Sequence, residues 1–115
     1  MHENLAIWKR SARLSATLYQ YFATSKEWGF RDQITRSGLS VPSNIAEGFE
    51  RDSDAEKAKF LTYAKGSCGE LRTQILIGME AGFIDRTVGR EWVAETREIG
   101  AMIAALIFKL RASSG

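Results

Sequence analysis

Along four successive stretches of this chain, apolar side chains return at alternating four- and three-residue steps, a spacing that few folds can use. The last stretch is the most regular. Trp92, Thr96, Ile99, Ile103, Leu106 and Leu110 form a heptad-like seam, the pattern of helices packed at small crossing angles. Val93, Gly100, Ala104 and Ile107 flank that seam, so this segment, beginning near Asp85 or Thr87, is apolar on two sides. The third stretch starts most clearly. Ser53-Asp54-Ala55-Glu56 fits a capping box, and Phe60, Ala64, Cys68, Leu71, Ile75 and Met79 follow with Leu61 and Leu76 beside them. Gly82 is the expected stop.

The first stretch, Asn4 to Ser25, carries Ile7, Leu14, Leu18 and Tyr21 on one stripe and Leu5, Trp8, Ala12, Tyr19 and Phe22 on the next. Asn4 can serve as its N-cap, and Gly29 marks its end or the turn beyond. The second, Phe30 to Arg51, spaces Phe30, Ile34, Val41, Ile45 and Phe49 by helical steps, and the chain's one proline, Pro42, interrupts it. A proline there deprives the Gly38 carbonyl of its donor, which predicts a kink near residues 38 to 42; the alternative opens a new helix at Pro42. Four such segments with short links alternate up and down. The expectation is an all-α, antiparallel four-helix bundle over residues 1–115, one domain with one core.

Composition narrows the chemistry. The single cysteine, Cys68, excludes an internal disulfide or a multi-cysteine metal site, and its place on an apolar stripe makes it a small buried hydrophobe. The single histidine, His2, lies at the N-terminus and reads as a solvated residue, so no metal site and no cofactor are expected. The first residues show no leader pattern and no stretch approaches the roughly 20 apolar residues of a membrane span, which points to the cytoplasm. Net charge is +2, too little by itself to imply nucleic acid. Residues 4 to 26, however, carry Lys9, Arg10, Arg13 and Lys26 without one carboxylate, and Arg86, Arg90 and Arg97 make a second row diluted by acids.

The most distinctive run is Ser40-Val41-Pro42-Ser43-Asn44-Ile45-Ala46-Glu47-Gly48. Asn44 could orient Glu47 as a general base, but catalysis needs a partner group converging on the same spot, and none is visible. Glu47 is better read as an ion-pair partner of Arg51 or Lys57. Gly66-Ser67-Cys68-Gly69 lacks the lysine of a phosphate loop and falls within a helical seam, so it reads as a tight-packing site. A hairpin turning near residue 52 sets Arg36 opposite Cys68 and within a turn of Glu70, predicting an Arg36–Glu70 pair. Glu70→Ala should then destabilise the fold more than a change at Glu95, taken as exposed.

Gln33, Arg36, the Ser40 to Gly48 run, Phe60-Leu61, Ala64, Gly66-Ser67, Glu70-Leu71 and Gln74 together resemble a known family. It is the set of four-helix-bundle proteins named for reading frames within intervening sequences of bacterial 23S ribosomal RNA genes. The resemblance covers nearly the whole chain. It implies a bundle that assembles into a ring, commonly a homopentamer, and kinship with the basic accessory protein of diversity-generating retroelements. It implies no enzymatic activity. Its motif positions here are Gln33, Arg36, Ser40, Asn44, Glu47, Gly48, Gly66, Ser67 and Glu70, expected to determine fold or assembly.

Three functions follow in order of preference. The first is a homo-oligomeric module that binds RNA or a nucleic-acid-processing partner through Lys9, Arg10, Arg13, Arg86 and Arg90, repeated around a ring. The second is a purely structural oligomer that buries Trp8 and Trp92 between subunits. The third, an enzyme built on Asn44, Glu47 and Glu70, ranks last. No small-molecule substrate is indicated.

Overall fold

A computed structural model describes residues 2–114, with side chains described for residues 5–113; the His2 side chain lies outside them. The four amphipathic stretches are α1 (His2–Tyr21), α2 (Trp28–Phe49), α3 (Asp54–Ala81) and α4 (Arg86–Ser114). They pack up and down into a rod of 47 × 20 × 20 Å. Each helix lies along its neighbour in the chain, and a thinner seam between α1 and α4 closes the bundle.

The helix ends follow local chemistry. Ser53 Oγ accepts the Glu56 N–H at 3.1 Å, which starts α3 as its cap sequence requires. Gly82 ends it at φ 83°, where the left-handed backbone suits a residue without a side chain. The Phe83 N–H then reaches the Gly78 carbonyl at 2.8 Å and the Gly82 N–H reaches Met79, a Schellman ending. Asp85 caps α4 through Oδ2, which accepts the Val88 N–H at 3.1 Å. The Tyr21 hydroxyl accepts the Asp85 N–H at 2.8 Å, tying the end of α1 to the start of α4.

Four boundaries differ from the sequence reading, the first being the end of α1 at Tyr21 instead of Ser25. α1 begins at His2, so Asn4 lies inside it instead of capping it. Gly29 falls in the first turn of α2, where a glycine costs little, so the turn ends sooner than expected. α2 stops at Phe49, two residues before Arg51. α2 also runs through Pro42 without a break, so that residue opens no new helix. Gly38, whose carbonyl the proline leaves without its donor, lies where Leu18 of α1 presses on α2. A Cβ at Gly38 would sit 2.5 Å from Leu18 Cδ1.

Leu18, Ile34, Ile45, Ala64, Ile75, Thr96 and Ile103 are wholly buried along the axis. Thr96, the polar member of the α4 seam, satisfies itself by donating to the Val93 carbonyl at 2.7 Å. Cys68 is buried, as expected, and its thiol donates to the Thr96 carbonyl at 3.1 Å. The wide apolar face of α1 divides: Ile7, Leu14, Leu18 and Phe22 enter the core, while Leu5, Trp8 and Tyr19 remain exposed. Trp92 packs inside its own chain, edge-on to Tyr21, so it is not left for a subunit contact. Leu76, placed beside the core by its spacing, faces outward instead.

Candidate functional site

Of the motif residues, Ser40, Gly48, Ser67 and Glu70 meet across the seam between α2 and α3. Ser37 Oγ donates to Glu70 Oε1 at 2.7 Å, and the Ser40 and Ser67 hydroxyls lie 2.8 Å apart. Asn44 Nδ2 donates to the Ser40 carbonyl at 2.9 Å and to Ser40 Oγ at 3.0 Å. Glu47 pairs with Arg51, whose guanidinium sits 4.5 Å over the Phe60 ring. Lys57 Nζ donates to the Arg51 carbonyl at 2.6 Å and so is not the partner of Glu47. A Cβ on Gly48 would meet the Lys57 carbonyl at 3.3 Å, so this glycine permits the close crossing of α2 and α3. The arrangement is a polar ladder between the two helices, the kind of buried polar contact that sets register in other helical assemblies.

The expected Arg36–Glu70 pair is not formed. Ser37 takes Glu70, and Arg36 and Gln33 point outward. Side chains lean toward the N-terminus of their own helix, so antiparallel partners meet further along than level Cα positions indicate. Glu95 was also misjudged as exposed: it receives the Arg10 guanidinium through Oε1 and Oε2, with Nε–Oε2 at 3.0 Å.

Asn44, Glu47 and Glu70 each bond to a different neighbour and do not converge. Among the described residues no group of three His, Cys, Asp or Glu side chains is placed to hold a metal ion. Burial pushes the Cys68 thiol up from its ordinary range, against an opposing pull from Arg72, which keeps it protonated and unreactive.

The candidate cations divide. Arg10 is committed to Glu95 and, at 3.3 Å, to Glu98, and the bond to Glu95 above all holds its pKa higher still. Arg86 reaches Glu80 at 3.4 Å. Lys9, Arg13 and Arg90 stand exposed.

Two surface grooves escaped the sequence reading. One, about 430 Å³, runs between α1 and α2 over Trp8, Ala12, Tyr19, Leu39 and Pro42. The other, about 570 Å³, runs between α3 and α4 over Gly66, Gly69, Gly100, Ala101 and Ala104, rimmed by Lys65, Arg72 and Arg97. Gly66 and Gly69 were read as a tight-packing site, but a Cβ on either would meet nothing within 4 Å. They form the open floor of this groove. The available signal was that these small residues recur at helical spacing on both α3 and α4.

The sequence model of the 23S rRNA-intervening sequence proteins matches residues 3–105, from α1 into α4. The chain belongs to that family. Among curated proteins none matches it. A crystal structure from Bacteroides thetaiotaomicron, of a protein of unknown function in the S23 ribosomal protein family, is similar in fold. It shares 20% identity over 91% of this chain and 97% of its own, with a TM-score of 0.84. In this 23S rRNA-intervening sequence protein the Ser40–Gly48 run meets α3 through the Ser40–Ser67 bond and the close approach at Gly48. No described helix is long and apolar enough to cross a membrane.

Proposed function

We propose that the protein is a non-enzymatic, cytoplasmic homo-oligomer that binds RNA or a nucleic-acid-processing partner. One observation carries this reading: the outer face of α1 pairs an uncovered apolar groove with cations that no carboxylate matches. Trp8, Tyr19 and Leu39, which line that groove, are 38%, 47% and 48% exposed. A patch of this kind marks an interaction surface in a protein this small. Lys9 and Arg13, one turn apart on α1, make no ion pair among the described residues. Burying the groove against a second copy would bring these cations together around an assembly, and repeated weak phosphate contacts then add. A ring, commonly of five members, is what the resemblance of the motif residues implies.

Light scattering at micromolar concentration together with binding to labelled RNA across a salt series tests this. An assembly whose RNA affinity falls with rising salt is the expected result. A monomer overturns the oligomer, and salt-independent or absent binding overturns the nucleic-acid role. The apolar groove alone would also serve a purely structural oligomer, and an assembly that ignores RNA at low salt is that second reading's signature.

A further inference from the structure

The groove between α3 and α4 continues past its first section. A second section adds Phe108 and Arg111 and shares Lys65 and Ala104 with the first. A third shares Thr62 and Arg111 with the second and adds Lys59 and Tyr63. From Arg72 to Lys59 the furrow follows α3 for roughly 20 Å. No Asp or Glu lines any of the three sections. In a chain with 14 Asp and Glu against 16 Lys and Arg, that separation needs a cause.

The structure supplies it. The acids level with its first section are turned to the other side, Glu70 to Ser37 of α2 and Glu95 and Glu98 to Arg10 of α1, while Asp54 lies at the far end, where it accepts from Ser113. Lys65 and Arg97 make no ion pair among the described residues. Arg72 is held in place by neutral acceptors, its Nε at 3.1 Å from Thr96 Oγ1 and its Nη2 at 3.3 Å from the Thr96 carbonyl. Its charge is therefore positioned and unmatched. Two exposed rings stand along the rim, Tyr63 at 48% and Phe108 at 74%.

We infer that this furrow is a track for single-stranded nucleic acid, a site that rests on the nucleic-acid reading above and moves it from α1 to α3 and α4. The phosphodiester backbone lies along Lys65, Arg72 and Arg97 over the glycine and alanine floor, and bases stack on Tyr63 and Phe108. Cationic grooves with aromatic platforms hold single strands in this way. A duplex is too broad for a furrow between adjacent helices, whose axes lie about 8–10 Å apart. A helix from a second copy fits the charge poorly, since it would bury Lys65 and Arg97 against a partner surface. The uncovered apolar face of α1 has no carboxylate between residues 4 and 26 to receive them.

Fluorescence anisotropy of the intact chain tests the track with labelled oligouridine, oligothymidine and a duplex. The wild type should bind both single strands more tightly than the duplex. The Lys65→Glu/Arg97→Glu variant should lose about tenfold or more, and Lys9→Glu/Arg13→Glu much less. Phe108→Ala should weaken single strands and leave the duplex unchanged. Loss on either single strand supports the track, and the ratio between the two shows whether RNA or DNA is preferred. Should the double glutamate variant fail to fold by circular dichroism, Lys65→Gln and Arg97→Gln singly carry the same comparison.

No binding by the wild type would end the nucleic-acid reading altogether. Binding lost in Lys9→Glu/Arg13→Glu but kept in Lys65→Glu/Arg97→Glu would leave that reading standing and overturn the track. A changed light-scattering mass with unchanged affinity in Lys65→Glu/Arg97→Glu would make the furrow a contact between copies and overturn it equally.

Discussion

Gly38, Gly66 and Gly69 look alike in the sequence and differ in the fold. Leu18 is wholly buried, so a methyl group at position 38 forces its side chain to shift within the core. Gly38→Ala should destabilise the protein by about 1–3 kcal/mol. Gly66→Ala and Gly69→Ala should each stabilise it by about 0.5–1 kcal/mol, because a helical glycine with open space at its Cβ loses backbone entropy for no contact. Urea unfolding of the three variants checks both signs. Which glycine sits under a neighbour depends on helix rotation and approach, and one chain's spacing does not determine these. Cys68, by contrast, was legible, because its stripe position decides its burial. Its folded pKa is raised, so the folded state keeps a proton that the unfolded chain gives up. The stabilisation is complete below the unfolded thiol's range of about 8.5 and is lost progressively as pH climbs toward the folded value. The alkaline decline of the urea midpoint should accordingly be shallower in Cys68→Ala.

Among the elements, α3 was read most faithfully because Ser53 and Gly82 act through adjacent backbone. The α2–α3 hairpin was legible as a pair but its register was not. Turn position gives level Cα atoms, whereas contact depends on how far each side chain leans, which is why Ser37 displaced Arg36. Glu70→Ala should cost about 1–2 kcal/mol, leaving the buried Ser37 hydroxyl without its acceptor, while exposed Glu91→Ala should cost almost nothing. Paired urea melts measure the difference. α1 is the element least bound to the rest, since its seam with α4 is thin and Arg10 spans it. At dilutions where the chain is monomeric, hydrogen exchange should be faster in α1 than in α3, and Arg10→Ala should widen that gap.

For the whole molecule, the bundle followed directly from four apolar seams, but the grooves did not. They arise where two correctly read helices leave space between them, and Lys65 and Arg72 become neighbours of Arg97 only through packing. If copies cover the α1–α2 groove, Trp8→Glu should reduce the light-scattering mass while circular dichroism stays helical. The wild-type melting temperature should also rise with protein concentration. The pairing of each helix with the next in line bears on how the protein is made. Hairpins of successive helices close over short loops, so little chain entropy is spent before packing begins, and refolding within milliseconds or less is the expectation. On a ribosome the first two helices can already clasp while the third is being synthesised. The Arg10 contact, the Tyr21 latch and the bonds of Cys68 and Arg72 to Thr96 all wait for the final helix, which makes its docking the step that completes the native protein.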